Sequence, residues 1–325
     1  MKSMPLTTSR INDLRSFFGD KLQQNVPLAG YTTARVGGPA DALVIVSSAQ
    51  MLEEAVRFLW QREIPFFLLG SGSNILVTDA GLRGVVLINR AKAHQFDTAS
   101  NPPTVRVESG ANLGGLARQA AILGLSGLEW AATVPGTVGG AVYGNAGAHG
   151  GDMQGNLVLA EILHPVSGKA TWNSDWLEYG YRTSILKRDT VKSVILSATL
   201  QLNQSTRQAV NSRMEIYTEH RRSTQPPGAS MGSMFKNPPG DYAGRLIEAA
   251  GLKGTRIGGV EISSKHANFF INHDQATAAD IWNLIQLVQH TVLEQFAVQL
   301  ELEVEPLGDW TENSVSDTNL NDFKG

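Results

Sequence analysis

The sequence predicts an α+β protein with more than one domain, on three observations. Residues 27–89 alternate strand-like apolar runs with one helix-like segment. Residues 104–202 mix both patterns around a glycine-rich run, and a break at 221–228 precedes a third mixed block. Since an average domain has roughly 100–200 residues, we expect two or three domains in this chain of 325 residues.

The composition excludes several classes of protein. The chain has no cysteine, and therefore no disulfide, thiolate metal site or cysteine nucleophile. The net charge of -3 arises within residues 309–325, so residues 1–308 are neutral and lack the basic excess of a nucleic-acid-binding protein. Residues 1–10 contain no signal-peptide core, and no run approaches the roughly 18 apolar residues of a membrane span. We expect a cytoplasmic protein without a membrane partner, and no obligate protein partner is evident.

The first block has the pattern of a βαββ unit. Strands are predicted at 41–46, 65–69 and 85–88, where the residues are mostly apolar. A helix is predicted over 50–62, because its apolar residues recur at helical spacing.

The second and third blocks give α+β patterns. The elements predicted in the second block are strands at 105–107, 157–164, 169–172 and 194–202 and a helix at 113–123. Those predicted in the third are helices at 241–250 and 277–296 and strands at 267–271 and 300–304. Thr277 and Asp280 have the spacing of a capping box. Residues 309–325 are polar and aperiodic, which predicts disorder.

The segment Gly70-Ser-Gly-Ser-Asn74 follows a predicted strand. Such a turn presents several backbone N–H groups together and suits phosphate oxygens, while an ordinary tight turn is the alternative. Ile75 at the sixth position breaks the GxGxxG pattern, and no helix is predicted next. The segment is therefore not a Rossmann fingerprint.

The run Thr133–Gly147 holds five glycines among apolar residues, a content that a flexible linker would not carry. It predicts a packed loop and helix start whose N–H groups approach a pyrophosphate, with a glycine-rich helix contact as the alternative.

Other motifs are weaker. Gly228-Ala-Ser-Met-Gly232 matches the GxSxG elbow of hydrolases, but two prolines stand where that elbow needs a buried strand, so we treat the match as accidental. The seven histidines show no metal-binding spacing, and we expect no metal. Polar clusters at 180–184, 232–238 and 265–268 suit anion binding or solvated loops, and their spacing alone does not decide between the two.

Taken together and in order, these segments resemble the UDP-N-acetylenolpyruvoylglucosamine reductases, flavoenzymes of bacterial cell-wall precursor synthesis. The matching segments are TARVGGPAD (33–41), GSGSN (70–74), VPGTVGGAVYGNAGAHG (134–150), GYRTS (180–184), GSMFKNP (232–238), AGRLIEAAGLKG (243–254), SKHANFFIN (264–272) and LELEV (300–304). The resemblance covers about residues 28–308. It is to the shorter type of the family, because 202–221 leaves no room for the extra substrate-covering segment.

The resemblance implies a two-part FAD-binding domain of the vanillyl-alcohol oxidase (PCMH) type, followed by a smaller α+β substrate-binding domain. The implied parts are an N-terminal segment at 1–27, the FAD-binding domain at 28–210 with subdomains at about 28–90 and 104–210, the substrate-binding domain at 211–308 and the tail at 309–325. The implied reaction is the NADPH-dependent reduction, through FAD, of UDP-N-acetylglucosamine enolpyruvate to UDP-N-acetylmuramate for peptidoglycan.

The resemblance also implies site residues. Ser233 would protonate the substrate, while Arg182 and Glu303 would stabilise the developing enolate. The implied FAD-binding residues are Gly70, Ser71, Gly72, Ser73, Asn74, Pro135, Gly136, Thr137, Gly139, Gly140, Asn145 and Gly147. The implied substrate-binding residues are Tyr181, Lys236, Asn237, Lys265 and His266. Leu302 and Glu305, on either side of Glu303, depart from the proline and the base that are usual in the family.

Two alternative functions have features against them. An FAD oxidase or dehydrogenase on the same fold would act on another substrate, but the third-block motifs belong to the reductase. A sugar-nucleotide-binding protein that has lost its flavin would not need the intact glycine-rich segments.

Overall fold

The computed structural model describes residues 5–188 and 193–310. The helices in this part of the chain are α1 (Thr8–Phe18), α2 (Ala49–Gln61), α3 (Leu113–Ile122), α4 (Val138–Gly144), α5 (Ile185–Arg188), α6 (Arg207–Thr224), α7 (Ala243–Ala249) and α8 (Ala278–Phe296). The strands are β1 (Gln23–Pro27), β2 (Pro39–Val46), β3 (Phe66–Leu69), β4 (Ile75–Val77), β5 (Leu82–Asn89), β6 (His94–Asp97), β7 (Thr104–Glu108), β8 (Leu125–Ser126), β9 (Gly147–Ala148), β10 (Gly151–Asp152), β11 (Leu157–His164), β12 (Gly168–Asn173), β13 (Val194–Gln201), β14 (Asn203–Gln204), β15 (Arg256–Ile257), β16 (Val260–Ile262), β17 (Phe270–Asn272) and β18 (Glu305–Leu307). The predicted α+β class is confirmed.

The chain divides into two compact units that interleave along the sequence. The described part of unit 1 comprises residues 5–43, 72–85 and 224–310, and that of unit 2 comprises residues 44–71, 86–188 and 193–223. The predicted domain limits at 28–210 and 211–308 follow chain order, and they stay a prediction.

Unit 1 combines short sheets with the helices α7 and α8. β1 pairs antiparallel with β2, β4 pairs parallel with β18, and β15, β16 and β17 form an antiparallel sheet. Its buried core takes Ala34 and Val36 from the N-terminal part, Leu76 from β4, and otherwise residues between Met231 and Val304. Segments far apart in sequence therefore share one core.

The start of α8 shows why the predicted helix forms there. The Thr277 hydroxyl accepts a hydrogen bond from the Asp280 N–H (3.0 Å), and the Asp280 carboxylate accepts one from the Thr277 N–H (2.9 Å). The carboxylate of Asp79 accepts two more, from the N–H groups of Ala278 (2.8 Å) and Ala279 (2.9 Å). These bonds satisfy N–H groups that a helix start leaves without partners. The predicted capping box is confirmed.

Unit 2 is built on an antiparallel sheet with the strand order β12-β11-β13-β7-β6. Val105 and Val107 alternate with polar residues on β7 and are fully buried, as the sequence predicts. α3 and α4 contribute to the same core, which extends to Val210 and Met214 of α6. The core of unit 2 thus includes the glycine-rich run.

One predicted strand is wrong. Residues 300–304 are not a strand: they make a single bridge between Leu302 and Phe235, and regular pairing begins only at Glu305 in β18. Leu300 and Val304 are buried as the alternation requires, but the neighbouring segment 234–236 is itself irregular and too short to extend a ladder. The predicted strand at 267–271 is found as β17, which begins only at Phe270.

None of the helices in residues 5–188 and 193–310 has both the length and the hydropathy needed to cross a membrane. The same residues contain no group of three or more His, Asp or Glu side chains placed to hold a metal ion. Most of the predicted disordered tail, residues 311–325, lies outside the described residues. Before that point, Trp310 stacks on Trp282 with ring centroids 4.5 Å apart.

Candidate functional site

Ser233 lies in an irregular segment of unit 1, residues 231–236, that backbone contacts hold in place. Gly232 precedes it with φ +79°, a conformation that glycine adopts without steric cost. Ser233 forms an isolated bridge with Phe269, and the N–H of Met234 donates to the carbonyl of Asn268 (2.8 Å). Residues 268–269 therefore hold the backbone at Ser233 and at the residue that follows it.

Glu303 lies beside the same segment. Its N–H donates to the carbonyl of Met234 (2.9 Å), and the N–H of Lys236 donates to the carbonyl of Glu301 (2.8 Å). Since Met234 directly follows Ser233, the structure brings the backbones of two predicted catalytic residues together. Glu303 is half-buried.

Asn74, predicted as a cofactor-binding residue, also contacts this segment. Its side-chain Nδ2 donates to the carbonyl of Glu303 (3.0 Å), and its own carbonyl accepts from the N–H of Glu305 (2.9 Å). The visible role of its side chain is thus to hold the segment of Glu303.

Two of the predicted substrate-binding residues are engaged by neighbours in unit 1. The Lys236 ammonium lies 3.1 Å from the carboxylate of Glu301, whose side chain is 73% exposed. An ion pair so exposed contributes little to stability, so the ammonium can be shared with an anionic ligand. Asn237 is exposed, and its side-chain oxygen accepts from the N–H of Ala243 at the start of α7 (3.1 Å).

Two more of the five predicted substrate-binding residues, Lys265 and His266, lie on the turn before Asn268. Lys265 is exposed, while His266 is half-buried and its Nδ1 accepts a hydrogen bond from the N–H of Asn268 (3.2 Å). Burial, with the nearby Lys253, lowers the pKa of His266. The ring is therefore neutral near pH 7, with its proton on Nε2 as a donor.

Arg182 lies in unit 2, on a turn closed by a bridge between Gly180 and Thr183. Its φ of +57° is in the left-handed region, which costs free energy for a residue other than glycine and is typical of functional positions. Its Nη1 donates to the carbonyl of Gly147 (2.9 Å). Its guanidinium lies 5.7 Å from the ring centroid of Tyr181, a side chain that is mostly exposed.

The turn of Arg182 packs against the end of the glycine-rich run through three further hydrogen bonds. The side-chain Nδ2 of Asn145 donates to the carbonyl of Gly180 (3.1 Å), and the Ser184 hydroxyl donates to the carbonyl of Tyr143 (2.6 Å). The Tyr179 hydroxyl donates to the carbonyl of Val142 (2.9 Å), and burial raises its pKa, so it remains protonated. Two motifs that are separate in the sequence thus form one surface.

The glycines of unit 2 allow close packing of backbone. A Cβ built on Gly70, which follows β3, would lie 2.5 Å from the Thr137 hydroxyl, and one on Gly139 would lie 2.9 Å from the Cβ of Ser109. The Thr137 hydroxyl caps α4 by accepting from the N–H of Gly140 (3.3 Å). The end of β3 therefore lies directly against the side chain of Thr137 at the start of α4.

Backbone N–H groups at these two places are available to a ligand. Within residues 5–188 and 193–310, the N–H groups of Ser71 and Gly136 donate to no other atom of the chain. Pro135 beside Gly136 is exposed. Backbone N–H groups of this kind suit the oxygens of a phosphate or diphosphate.

Unit 1 shows the same close packing at Gly72. Its φ is +62°, and a Cβ there would lie 2.0 Å from the carbonyl oxygen of Tyr31. The Gly72 carbonyl accepts hydrogen bonds from the N–H (3.0 Å) and the hydroxyl (3.3 Å) of Thr33. Only glycine fits at this position. Ser73, which follows it, is half-buried.

The predicted site residues are thus divided between the units. Those in unit 1 are Gly72, Ser73, Asn74, Ser233, Lys236, Asn237, Lys265, His266 and Glu303, and those in unit 2 are Gly70, Ser71, Pro135, Gly136, Thr137, Gly139, Gly140, Asn145, Gly147, Tyr181 and Arg182.

Contacts at both ends of the glycine-rich run were not predicted from the sequence. The half-buried Arg221 donates from Nη1 to the carbonyl of Thr133, where the run begins. At its end, the ring of His149 stacks on that of Tyr217, with centroids 4.3 Å apart. Both partners come from α6, a helix that was not predicted from the sequence, so no sequence signal pointed to these contacts.

Comparisons with known proteins find relatives that match most of this chain. The family described as the UDP-N-acetylenolpyruvoylglucosamine reductase C-terminal domain matches residues 224–307, and the family described as an FAD binding domain matches residues 40–164. The reductase of that name from Chloroflexus aggregans is 42% identical over 286 residues, 87% of this chain and 96% of the relative. The reductase from Bacillus subtilis is 40% identical over 300 residues, 92% of this chain and 98% of the relative. The crystal structure of the reductase from Thermus caldophilus matches with a TM-score of 0.74 at 37% identity, over 86% of this chain and 97% of that one.

Proposed function

The chain belongs to the UDP-N-acetylenolpyruvoylglucosamine reductase family, and we propose that it reduces UDP-N-acetylglucosamine enolpyruvate to UDP-N-acetylmuramate, with FAD as bound cofactor and NADPH as co-substrate. The structural observation that best supports this proposal is the hydrogen bond from the N–H of Glu303 to the carbonyl of Met234. It brings the backbone of Glu303 next to the residue that follows Ser233. A reaction that uses NADPH and a nucleotide sugar belongs in the cytoplasm, where it would supply peptidoglycan for cell growth, shape and division.

The residues proposed to hold FAD fit that cofactor. FAD contains a diphosphate, and the N–H groups of Ser71 and Gly136, which donate to no other atom of the described residues, lie in glycine-rich turns. Gly70 and Gly72 are required by packing alone, since a Cβ at either would collide with a neighbour. When bound, FAD would supply hydride transfer from NADPH to the vinyl carbon of the substrate.

Ser233 is proposed to supply the proton that completes the reduction. Addition of hydride to the terminal vinyl carbon leaves an electron pair on the adjacent carbon, delocalised into the carboxylate as an enolate. The Ser233 Oγ–H would give its proton to that carbon. A hydroxyl is a weak acid, but a carbon so basic accepts a proton from it.

Arg182 and Glu303 are proposed to stabilise the enolate. The guanidinium of Arg182 offers several N–H donors to a carboxylate. Its left-handed backbone and its bond to Gly147 hold it to the glycine-rich run. Glu303 would assist only while it keeps or shares a proton near the substrate carboxylate.

The five residues predicted to bind substrate are proposed to hold the rest of that molecule. Lys236 and Lys265 carry the positive charge that a diphosphate needs, and both are accessible. His266 would act as a neutral donor through Nε2. Asn237 and the exposed ring of Tyr181 complete the group.

The test is oxidation of NADPH by the purified protein, followed optically with and without UDP-N-acetylglucosamine enolpyruvate. A yellow protein whose NADPH oxidation depends on that substrate supports the proposal. A yellow protein that oxidises NADPH equally well without it would instead be an oxidase on the same fold. A colourless protein that stays inactive after addition of FAD would contradict both.

A further inference from the structure

The side-chain amide of Asn268 binds both backbone groups of one residue, Phe235. Its Oδ1 accepts from the Phe235 N–H (2.9 Å), and its Nδ2 donates to the Phe235 carbonyl (2.8 Å). Asn268 is 3% exposed and Phe235 is fully buried, so both hydrogen bonds are shielded from water. The amide therefore takes the place of a neighbouring strand.

Such a replacement is needed because of where Phe235 lies. Residues 231–236 belong to no helix or strand of the described chain, so no regular ladder satisfies the backbone groups of Phe235. Buried backbone N–H and C=O groups are almost always paired in folded proteins. Among side chains, an amide is suited to this position because it carries a donor and an acceptor side by side.

We call the two hydrogen bonds between the Asn268 amide and the Phe235 backbone the clamp. Three contacts connect the clamp to the two candidate catalytic residues of unit 1. The backbone carbonyl of Asn268 also accepts from the N–H of Met234 (2.8 Å), and the carbonyl of Met234 accepts from the N–H of Glu303 (2.9 Å). Ser233 directly precedes Met234 in the chain and bridges to Phe269. Asn268 thus holds Met234 and Phe235, and both Ser233 and Glu303 are attached to Met234.

We propose that Asn268 is a positioning residue for the protonation step: by clamping Phe235 it sets the positions of Ser233 and Glu303 relative to each other. The proposal rests on the proposed function, since it assigns both residues to that reaction. A positioning role predicts a defect confined to the step that uses Ser233 and Glu303, because a misplacement of about 1 Å slows a reaction by up to 10²-fold.

The Asn268→Asp variant makes the test specific. When protonated, the new carboxyl has a donor and an acceptor and can restore both hydrogen bonds to Phe235. When ionised, it has acceptors only and repels the Phe235 carbonyl. The defect of Asn268→Asp should therefore diminish as the pH falls, whereas Asn268→Ala offers no such rescue.

The experiment follows the two half-reactions of the holoenzyme separately by stopped-flow absorbance. For Asn268→Asp at neutral pH, we expect FAD content and FAD reduction by NADPH to stay within about twofold of wild type. Reoxidation by UDP-N-acetylglucosamine enolpyruvate should slow by about tenfold or more. The ratio of variant to wild-type reoxidation rates should rise on lowering the pH for Asn268→Asp and stay constant for Asn268→Ala.

Asn156→Ala is the matched control. Asn156 is also buried, and its amide accepts from the Trp130 ring N–H (2.9 Å) and donates to the Gln201 carbonyl (3.0 Å) in unit 2. Its loss should lower the melting temperature without altering the ratio of the two half-reaction rates. Equal slowing of both half-reactions in the Asn268 variants, or a reoxidation defect that does not respond to pH in Asn268→Asp, would show a merely structural residue.

Hydrogen–deuterium exchange gives a readout that does not depend on activity. In Asn268→Ala, peptides that cover residues 231–236 and 300–304 should exchange faster, while peptides of α4 should not change. Unchanged exchange in both segments would overturn the clamp itself. If the clamp is found by exchange but wild-type protein does not reduce the substrate, the proposed function fails and the assignment to its protonation step fails with it.

Discussion

The side-chain amide of Asn74 donates a 3.0 Å hydrogen bond to the backbone carbonyl of Glu303, although the two residues are 229 positions apart in the chain. A second hydrogen bond joins the same two segments, because the N–H of Glu305 donates to the carbonyl of Asn74 (2.9 Å). Directly after these residues, β4 pairs in parallel with β18. The turn at Gly72–Asn74 is therefore joined to the segment of Glu303. A ligand that orders this turn would also order the backbone at Glu303.

We expect Asn74→Ala to weaken the contact between the turn at Gly72–Asn74 and the segment of Glu303, because it removes the side-chain hydrogen bond between them. Loss of one hydrogen bond of this kind costs about 1 kcal/mol in the free energy of unfolding. Reoxidation of the reduced enzyme by substrate should slow by about tenfold, because the backbone of Glu303 loses its side-chain anchor. The measurements are thermal unfolding and stopped-flow absorbance.

Asn272→Ala is the matched control for this prediction. The Asn272 amide likewise donates a single hydrogen bond to a backbone carbonyl of unit 1, that of Ala34 (2.8 Å). It should cost a similar amount of stability but leave reoxidation near the wild-type rate. Equal kinetic defects in Asn74→Ala and Asn272→Ala would mean that the link to Glu303 has no special role.

Ser233→Ala should distinguish proton donation from binding. The variant removes one hydroxyl and keeps the backbone contacts of the segment with Phe269 and Asn268. FAD reduction by NADPH should remain nearly unchanged, while reoxidation by substrate should slow by about 10²-fold or more, as expected for loss of a positioned proton donor. Stopped-flow traces of each half-reaction measure this, and equal slowing of both would make Ser233 a binding or structural residue.

Periodicity and end signals predicted many of the regular elements of this fold, although the helices α1 and α6 were not among them. The capping box at Thr277, the helical spacing that follows it and the alternation on β7 each reflect a local rule that tertiary contacts did not override. The strand predicted at 300–304 was wrong because its alternation came from Leu300 and Val304, which are buried without a strand partner. Periodicity indicates which residues are buried. The same alternation of buried and exposed residues occurs whether a segment pairs along its length with a strand or, as here, makes one bridge to an irregular segment.

The candidate site was predicted from motif resemblance, and its supporting contacts were not. Asn268 lies inside the motif SKHANFFIN (264–272), but nothing in the sequence shows that its amide binds Phe235, 33 residues away. Arg221 and Tyr217 belong to α6, and their contacts with the glycine-rich run depend on how that helix packs. Long-range hydrogen bonds of single side chains follow no period and no fixed spacing, so they cannot be predicted from one sequence.

Gly72→Ala should disturb the turn proposed to bind FAD. A Cβ at Gly72 would lie 2.0 Å from the backbone oxygen of Tyr31, and φ of +62° is unfavourable for alanine. The collision is with backbone, so a rotamer change does not relieve it, and we expect a loss of about 1–3 kcal/mol in stability. FAD affinity should fall by about tenfold or more, which flavin fluorescence on titration of the apoprotein measures.

Gly144→Ala is the control for that substitution. Gly144 is the last residue of α4 and lacks a positive φ, and a Cβ added to it would meet no neighbouring atom within 4 Å. Alanine there should be neutral or stabilising, since glycine is unfavourable within helices by up to about 1 kcal/mol. FAD binding that is lost equally in both variants would contradict the steric explanation.

The stability of unit 2 should depend on pH through His149. Its ring stacks on Tyr217 and lies 5.6 Å from the ring of His220, and Arg221 is close by. Burial lowers the pKa of His149, and electrostatic interaction with His220 and Arg221 lowers it further. The unfolded chain therefore binds a proton at His149 more readily than the folded chain does. It follows that this contribution to stability is present above the ordinary pKa of histidine and is lost as the pH falls through the folded-state value.

We expect His149→Phe to reduce this pH dependence. Phenylalanine keeps an aromatic ring for the stack with Tyr217 and cannot take up a proton. The fall in melting temperature between about pH 7.5 and about pH 5.5 should be smaller than in wild type, although some of it should persist because burial also lowers the pKa of His266. His149 has φ of +53°, so the variant is expected to be less stable at both pH values, and only the difference between them is diagnostic. His94→Phe, on the exposed strand β6, is the control, and an equal reduction in both variants would contradict the assignment to the cluster on α6.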